Sequence, residues 1–309
     1  GDSHTLSVTA TGGVGTLGYQ WESSADGVGG WTAIAGATSP TRTMNPLALT
    51  DDKYYRCRIG DGARPPQPYV YSDVVQLQVR AVLNITGQPA GANTIAGASH
   101  TFTVTVTGGY TPLNYQWKRG ATNVGTNSNT LALSGLAYAD QGSYTCVITD
   151  ARGATVTTAA RTLTVLEIQT QPVGGDKLPG QSHTFSVTVR AGSGTGGYTY
   201  QWKKDGANIA QTGASFTLSS LVLGDAGSYV CEVRDSSGAL LPSAAAVLNI
   251  TANPINFTAQ PAGGSKYVTQ SHSFSVTCTG GTGTLTYKWQ KDGVDIPGAT
   301  SNIYTNGSL

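Results

Sequence analysis

A tryptophan stands two residues after a tyrosine at four places along the chain. The residues around each pair follow a similar order of polar and apolar side chains. In the second and third copies, the segment D-x-G-x-Y-x-C follows at the same distance from the tryptophan. A looser version follows the first copy. Such self-similarity predicts one small fold repeated in tandem. The residues are Trp21, Trp117, Trp202 and Trp289, with Tyr55 and Cys57, Tyr144 and Cys146, and Tyr229 and Cys231 downstream.

The segments that open each copy have the period of a β-strand. A Ser-His pair begins them, and apolar residues then alternate with Ser and Thr, as in Phe102, Val104 and Val106. Alternation with one apolar side is typical of a strand that faces a core on one side only. Tight hairpin turns are predicted after three of the tryptophans because glycine tolerates positive φ there, at Arg119 with Gly120, Asp205 with Gly206, and Asp292 with Gly293.

The composition agrees with an all-β protein and excludes two classes of partner. Charged residues make up 11% of the chain and there are 41 glycines, which favours strands and turns over exposed helices. The net charge of +1 and the absence of a basic run argue against nucleic acid as a partner. No apolar run of about 18 residues occurs, so no direct membrane insertion is predicted for this segment.

Taken together, the motifs resemble the immunoglobulin superfamily, specifically the intermediate-set-like domains found in tandem in large bacterial surface and extracellular proteins. The resemblance implies Greek-key β-sandwiches of about the repeat length. It also implies that the four tryptophans lie on strand C and the three downstream cysteines on strand F. Tyr55, Tyr144 and Tyr229 would form the tyrosine corner, which ties the E-to-F crossover to the end of the sandwich.

The sequence departs from that family at the position of the second core cysteine. Valines stand there in all four copies, so we predict no disulfide within any domain. Losing such a bond costs about 2 to 5 kcal/mol, which packing around a reduced cysteine must offset. We expect buried, unreactive thiols, including Cys278, rather than reactive ones. The valines are Val8, Val104, Val187 and Val276.

Gln-Pro pairs mark the edge strand A, where a missing amide is tolerated, and so indicate where domains begin. They are Gln88-Pro89, Gln171-Pro172 and Gln260-Pro261. We predict four domains: residues 1–82 without strand A, 83–165, 166–250, and 251–309, which ends before strand F. Strand G is expected to run into the next strand A with little spacer, over Val79–Ile85, Leu163–Ile168 and Val247–Ile250. Semi-rigid junctions would then let each domain add about 35 to 45 Å to a rod.

The two end domains lack strands, and two explanations stay open. One is that the chain is a segment of something longer. The other is that a neighbouring subunit of the same protein donates a strand to the open sandwich.

No constellation of residues points to catalysis, to a cofactor or to a metal. The G-x-G-x-x-G of residues 13–18 runs into a strand, whereas a phosphate cradle needs a helix there. The histidines share one repeat position, and Asp51 with Asp52 is predicted to form the E-to-F turn rather than a cation site. For Trp31, packing beneath the C to C′ hairpin is favoured over stacking on a sugar ring. The chain is therefore not expected to be an enzyme.

The sequence favours a non-catalytic structural or adhesive rod segment of a larger extracellular or cell-surface protein, with protein or surface glycan ligands. Two alternatives remain. The chain could be the subunit of an extracellular filament, assembled through domain ends or strand donation. It could also be a carbohydrate-binding accessory region of a secreted enzyme.

Overall fold

The structure is a computed structural model that describes residues 2–62, 69–281 and 283–307. Within these residues the regular elements are strands and three single turns of 3-10 helix. We call the stretches 1–82, 83–165, 166–250 and 251–309 repeats 1 to 4. No helix in the described residues is long and apolar enough to cross a membrane.

The strands of repeats 1 and 2 are short, and most follow the alternation of the sequence. Those of repeat 1 are β1 (His4–Ser7), β2 (Gly18–Ser24), β3 (Thr32–Ala33), β4 (Thr41–Met44), β5 (Lys53–Gly60), β6 (Val70–Tyr71) and β7 (Val75–Leu77), with the 3-10 turn η1 (Leu49–Asp51). Those of repeat 2 are β8 (Asn84–Gly87), β9 (Ala92–Ile95), β10 (His100–Thr103), β11 (Thr105–Thr107), β12 (Asn114–Arg119), β13 (Thr122–Val124), β14 (Thr130–Leu133), β15 (Gly142–Thr149), β16 (Thr155–Thr157) and β17 (Arg161–Leu166), with η2 (Tyr138–Asp140).

Repeats 3 and 4 continue the same order of elements. Repeat 3 has β18 (Ile168–Thr170), β19 (Gly175–Lys177), β20 (His183–Ser186), β21 (Thr188–Val189), β22 (Thr199–Lys204), β23 (Ala207–Asn208), β24 (Ser215–Leu218), β25 (Gly227–Arg234), β26 (Leu240–Pro242) and β27 (Ala246–Ile250), with η3 (Leu223–Asp225). Repeat 4 has β28 (Asn256–Ala259), β29 (His272–Ser275), β30 (Thr277–Thr279), β31 (Gln290–Lys291), β32 (Val294–Asp295) and β33 (Ile303–Asn306).

Two sheets recur, and repeat 3 shows them most fully. In the smaller one, β20 pairs antiparallel with β24, and β21 pairs with β18. The larger one has the order β19-β27-β25-β22-β23, with β26 added beside β25. Repeat 1 has the corresponding pair β1 with β4 and a sheet in the order β3-β2-β5-β6. In repeats 1 to 3 the register places the strand-C tryptophan opposite a cysteine, in the pairs Trp21 with Cys57, Trp117 with Cys146, and Trp202 with Cys231.

The first strand of repeats 2 and 3 is divided into two pieces that pair differently. β8 runs antiparallel to β11, whereas β9 runs parallel to β17. β18 and β19 repeat this arrangement with β21 and β27. The Gln-Pro pairs of these repeats lie between the two pieces of the divided first strand. A residue without an amide N–H fits this gap because no ladder hydrogen bond is required there.

The core of each repeat is built around stacked rings between the sheets. In repeat 3, Phe185 stacks on Tyr229 with ring centroids 4.3 Å apart and lies 5.9 Å from Trp202. In repeat 2, Phe102 stacks on Tyr144 at 4.6 Å. Burying such side chains contributes about 1.5 to 3 kcal/mol each, so these rings account for much of the stability of a repeat.

The connections between repeats differ in length, and the strand expected over Val79–Ile85 begins only at Asn84. Residues 78–83 separate β7 from β8, and residues 251–255 separate β27 from β28. Only Glu167 stands between β17 and β18. The chain divides into two compact units. One comprises Gly1–Ala90, Thr101–Ala132 and Ser143–Arg161, and the other comprises Gly91–His100, Leu133–Gly142 and Thr162–Leu309.

Candidate binding face and repeat junctions

The strand-C tryptophans of repeats 1 to 3 are buried and orient their indole N–H in the same way. Trp117 and Trp202 are fully enclosed, whereas Trp289, just before β31, is only half-buried. Each Nε1 donates to a backbone carbonyl on the segment that leads to the next strand. The acceptors are Ser39 O for Trp21 (3.0 Å), Ser128 O for Trp117 (2.9 Å), Gly213 O for Trp202 (2.9 Å) and Ser301 O for Trp289 (2.9 Å).

The tyrosines two residues before the cysteines are buried, and the hydroxyl groups of Tyr55 and Tyr229 donate to the preceding turn. Tyr55 Oη donates to Asp51 O at 3.0 Å, and Tyr229 Oη donates to Asp225 O at 2.7 Å. Burial raises the pKa of Tyr229 to about 12. Tyr144 is 1% exposed. The carboxylate of Asp51 accepts the amide of Ala48 at 2.8 Å and so closes η1. Asp51 thus has a turn-forming contact within the chain.

All four cysteines are free thiols, which confirms that the repeats contain no disulfide. Cys57, Cys146 and Cys231 are buried, and Cys278 is half-buried. Burial raises the pKa of Cys146 and of Cys231 to about 11. A thiol that stays protonated and enclosed is a poor nucleophile.

Sequence reasoning missed a carboxylate four residues after each strand-F cysteine, which is buried in repeats 2 and 3 and half-buried in repeat 1. Asp150 accepts the amides of Tyr110 (3.0 Å), Arg152 (2.9 Å) and Ala154 (2.9 Å). Asp235 binds the corresponding loops of repeat 3, and Asp61 accepts the amide of Val14 in repeat 1. Asp150 and Asp235 therefore join the B-to-C loop to the F-to-G hairpin of their repeats. The recurring C-x-x-x-D spacing was the feature of the sequence from which these carboxylates could have been identified.

The repeated glutamine and histidine also serve the fold. Gln201 Nε2 donates to the carbonyls of Trp202 (2.9 Å) and Ile209 (2.7 Å), which fixes the C to C′ hairpin. His183 Nε2 donates to Val173 O at 3.0 Å, and His272 makes the same contact in repeat 4. Among the described residues, no group of three or more His, Cys, Asp or Glu side chains could hold a metal ion.

Repeats 2 and 3 meet at a joint of direct polar contacts. The amide of Tyr138 donates to Glu167 Oε2 at 2.7 Å, and Arg190 covers the ring of Tyr138 at 5.0 Å. Gln141 bridges the joint, since its Nε2 donates to Gly192 O at 2.8 Å and its Oε1 accepts the amide of Val165 at 3.0 Å.

The junction of repeats 1 and 2 contains the same kinds of contact, but they are made by residues at other positions of the repeat. Tyr110 Oη donates to Gln78 O at 2.9 Å, and Arg152 lies over the Tyr110 ring at 4.1 Å. The amide of Gly109 donates to Ala81 O at 2.8 Å. Arg80 forms an ion pair with Asp52 beside this contact. Both junctions therefore combine a tyrosine, an arginine and backbone hydrogen bonds.

An arginine and aromatic cluster covers the outer side of the larger sheet in repeat 1. The Arg56 guanidinium lies between the rings of Trp31 (4.2 Å) and Tyr71 (4.1 Å) and pairs with Glu22 at 2.9 Å. Arg58 lies over Tyr69 at 4.3 Å. Trp31 thus packs on its own repeat, which agrees with the packing interpretation favoured from the sequence, although its partner is an outward arginine.

Comparison with known proteins places these features in a fold. Residues 84–150 match a family described as immunoglobulin domain, and residues 1–81 match one described as a domain of unknown function (DUF8696). A three-domain I-band fragment of titin, I67–I69, superposes with a TM-score of 0.50 at 16% identity, covering 82% of this chain and 94% of that one. The chain is a tandem array of immunoglobulin-like domains.

Two curated relatives share parts of this immunoglobulin-like chain. Protein sidekick-2 of Mus musculus is 28% identical over 224 residues, which is 63% of this chain and 10% of that protein. The decoration protein of Escherichia phage T5 is 48% identical over 58 residues, which is 18% of this chain and 34% of that protein. The chain therefore spans a tenth and about a third of their lengths. Neither relative is bacterial, so the bacterial part of the predicted resemblance finds no support in them.

Proposed function

We propose that this chain is a non-catalytic structural or adhesive rod segment of a larger extracellular or cell-surface protein. The observation that carries the proposal is the pair of junctions, where consecutive repeats contact one another directly. Similarity to sidekick-2 over 63% of the chain supports a tandem arrangement of the kind that surface proteins use.

The connection between repeats 2 and 3 is much shorter than a flexible linker. A Gly- and Ser-rich linker behaves as a random coil, whereas here a single residue, Glu167, separates two strands. That residue is itself held, because its carboxylate accepts the amide of Tyr138 and its carbonyl accepts the amide of Arg190 at 2.9 Å. A joint of this kind keeps successive domains in a defined order and holds a distal binding face away from its anchor.

The use of the carboxylates supports a structural role. Asp61, Asp150 and Asp235 recur at one position and accept backbone amides, so they are committed to holding loops. A catalytic carboxylate would be expected in one repeat and beside an open pocket. We propose that ligands, whether protein or surface glycan, bind to outer faces of the repeats.

Small-angle X-ray scattering of the full chain in solution tests this proposal. A rod of four domains, each adding about 35 to 45 Å, has a radius of gyration of roughly 40 to 50 Å. A compact globule of the same length has a value of about 19 Å. A value near 40 Å that does not change with salt supports the rod segment, and a value near 20 Å contradicts it.

A further inference from the structure

Five side chains make the joint between repeats 2 and 3. Tyr138 and Gln141 belong to the E-to-F turn of repeat 2, Glu167 is the connection itself, and Arg190 follows β21. Their hydrogen bonds and stacking are supported by Leu166, the last residue of β17, which is fully buried in the core of repeat 3. Each of these contacts requires a particular ring, charge, amide or apolar group. A joint without those groups would not be held in the same way.

The strand registers show which residues occupy the same positions at the joint between repeats 3 and 4. The first strand pairs with the end of strand B in the same way in both repeats, and β27 pairs with β19 as β17 pairs with β9. The turns η2 and η3 have the same length and stand at the same distance from the next strand. The counterparts are Leu223 for Tyr138, Ala226 for Gln141, Asn256 for Glu167, Thr279 for Arg190 and Thr251 for Leu166.

The counterparts on repeat 3 and on strand B of repeat 4 cannot make the contacts of the earlier joint. Leu223 has no aromatic ring to stack with a guanidinium and is 55% exposed. Ala226 has neither the donor nor the acceptor of an amide side chain. Thr279 carries no charge, and Thr251 is exposed where a buried leucine stands in the earlier joint. The side chains that hold repeats 2 and 3 together therefore have no equivalent between repeats 3 and 4.

Other polar contacts do not replace them in the described part of the chain. Asn256 directs its Nδ2 at Pro254 O, 3.3 Å away, and so binds within the connection. Among the residues that the structure describes, no hydrogen bond or ion pair joins residues 166–250 to residues 256–307. The polar contacts that the structure shows at this joint are therefore those of the connecting residues themselves.

The connection between repeats 1 and 2 is also long, but it still carries polar contacts. Arg80 pairs with Asp52, which stands directly after the aspartate of its 3-10 turn. The same position holds Gln141 in repeat 2, where it again serves the joint, and Ala226 in repeat 3, where it has no polar group. The difference after repeat 3 therefore follows from its residues and not from the length of the connection alone.

Within the connection, the two repeats hold the residues on either side of Ala252. The amide of Thr251 donates to Lys177 O of repeat 3 at 3.1 Å. Asn253 is held by repeat 4, because its carbonyl accepts the amide of Gly281 at 2.9 Å and its Nδ2 donates to Gly281 O at 3.0 Å. Ala252 is exposed and makes no hydrogen bond within the described residues. The freedom of the backbone is therefore concentrated at one small residue.

We propose that Ala252 is the pivot of a hinge on which repeat 4 turns against repeat 3, whereas repeat 3 keeps its orientation to repeat 2. This inference rests on the proposed rod segment, and it adds the place where that segment bends. Hinges are formed by a few residues at the ends of elements that absorb changes of φ and ψ, and these residues are often small. Asn253 precedes Pro254, which restricts its backbone to the extended region and leaves Ala252 as the residue that rotates.

Residual dipolar couplings of the backbone N–H groups, measured on the full chain in a dilute liquid-crystalline medium, test the proposal. Such couplings report the orientation and the degree of alignment of each repeat. We expect one alignment tensor to fit repeats 2 and 3 together. The couplings of repeat 4 should fit its own structure with a tensor no more than about half as large, because its motion averages them.

Substitutions of Ala252 test the position of the pivot. Ala252→Pro fixes φ at this residue and removes no hydrogen bond, so the tensor of repeat 4 should approach that of repeat 3 in size. Ala252→Gly should reduce the tensor of repeat 4 further, because glycine populates a wider range of φ. The matched control is Ala252→Ser, which keeps an ordinary backbone and should leave every tensor within the error of the unchanged chain.

Three outcomes contradict the proposal. A single tensor that fits repeats 3 and 4 together in the unchanged chain overturns the hinge. Couplings of repeat 4 that fit no tensor also overturn it, because no folded body would then be turning. If Ala252→Pro leaves the tensor of repeat 4 unchanged, the assignment of the pivot to Ala252 is wrong.

The chemical shifts of the core residues of repeats 3 and 4 show whether each variant is folded. If Ala252→Pro disturbs them, Ala252→Gly decides in its place, and an unchanged tensor of repeat 4 in that variant overturns the pivot. A chain without the hinge still has a radius of gyration of about 40 Å or more, whereas failure of the rod segment gives a value of about 20 Å. The two failures are therefore distinguishable.

Discussion

The guanidinium of Arg190 lies over the ring of Tyr138, 5.0 Å from its centroid, although the two residues belong to neighbouring repeats. Glu167 binds both partners, because it accepts the amide of Tyr138 and stands 3.8 Å from the Nε of Arg190. The residue that links the repeats is thus part of the network that holds them together. This arrangement makes the stiffness of the joint a property that single substitutions can change.

Replacing Arg190 by alanine should loosen the joint without unfolding either repeat. The lost stacking at a partly exposed site is worth about 0.5 to 1 kcal/mol, so the Tyr138 amide should exchange with solvent several-fold faster. Hydrogen exchange followed by mass spectrometry measures this. Lys203→Ala, which removes a cation from repeat 3 on its sheet face, should leave the Tyr138 amide as protected as before. Unchanged protection in Arg190→Ala would show that the stack does not hold the joint.

Removing a buried tryptophan should destabilise its own repeat. Trp202→Ala leaves a cavity beside Phe185 and should lower the free energy of unfolding of repeat 3 by about 3 to 5 kcal/mol. Differential scanning calorimetry should show one transition moved to lower temperature while the others stay. Trp31→Ala, on the outer face of repeat 1, should lower the free energy of unfolding of its repeat far less. An equal downward shift of every transition in Trp202→Ala would contradict separate cores.

Acid should weaken the contacts by which Asp235 joins the B-to-C loop to the F-to-G hairpin of repeat 3. Burial alone would raise the pKa of this carboxyl, but hydrogen bonds from Ser237, Thr195 and Ala239 outweigh it, and the pKa is lowered. A lowered folded pKa gives stability that is present above the unfolded value of about 3.9 and lost as pH falls through the folded value. Repeat 3 should therefore lose stability below about pH 4.

Asp235→Asn tests this assignment in thermal unfolding at a series of pH values. It should lower the stability of repeat 3 at pH 7 by about 1.5 to 3 kcal/mol, because hydrogen bonds to a charged acceptor are lost. The stability of repeat 3 in Asp235→Asn should also fall less steeply with decreasing pH than it does in the unchanged chain. Asp176→Asn, at an exposed carboxylate that accepts from Asn249, should change neither property much. If Asp235→Asn lost stability with falling pH in the same way as the unchanged chain, this role of Asp235 would be ruled out.

The sequence predicted the residues of the core more completely than it predicted the contacts that side chains make outside the core. Trp202, Tyr229 and Cys231 are recognisable because a sandwich core requires large apolar groups at fixed strand positions. The role of Asp235 could have been inferred from its recurring spacing, but a carboxylate after a strand fits an exposed loop equally well. Its burial becomes visible only when two loops meet.

The junctions and the arginine and aromatic cluster of repeat 1 lay beyond sequence reasoning for a different reason. Alternation shows which strand positions point outward but not what an outward side chain contacts, so Arg56 and Trp31 could not be paired in advance. Tyr138 and Arg190 meet only because two repeats pack against each other. The strand expected over Val79–Ile85 begins only at Asn84, because residues 78–83 form an irregular connection.

The thiols should react in the order of their exposure. Cys278 is half-buried and should be labelled first by a neutral-pH thiol reagent. Cys146 and Cys231, with pKa values of about 11, should stay unlabelled until denaturant is added. Intact mass after labelling counts the modified sites. Rapid native labelling of Cys231 would contradict an enclosed thiol.

Stretching single molecules of the full chain tests most directly whether the repeats are independent domains of a structural segment. Repeats 2 and 3 should unfold in separate events, each releasing about 230 to 270 Å of contour length, which is the extended length of a chain of that size less the roughly 35 to 45 Å that the folded repeat already spans. Trp202→Ala should lower the force of one of these events and leave the other unchanged. A single event that releases both repeats together, or an extension without events, would contradict the account.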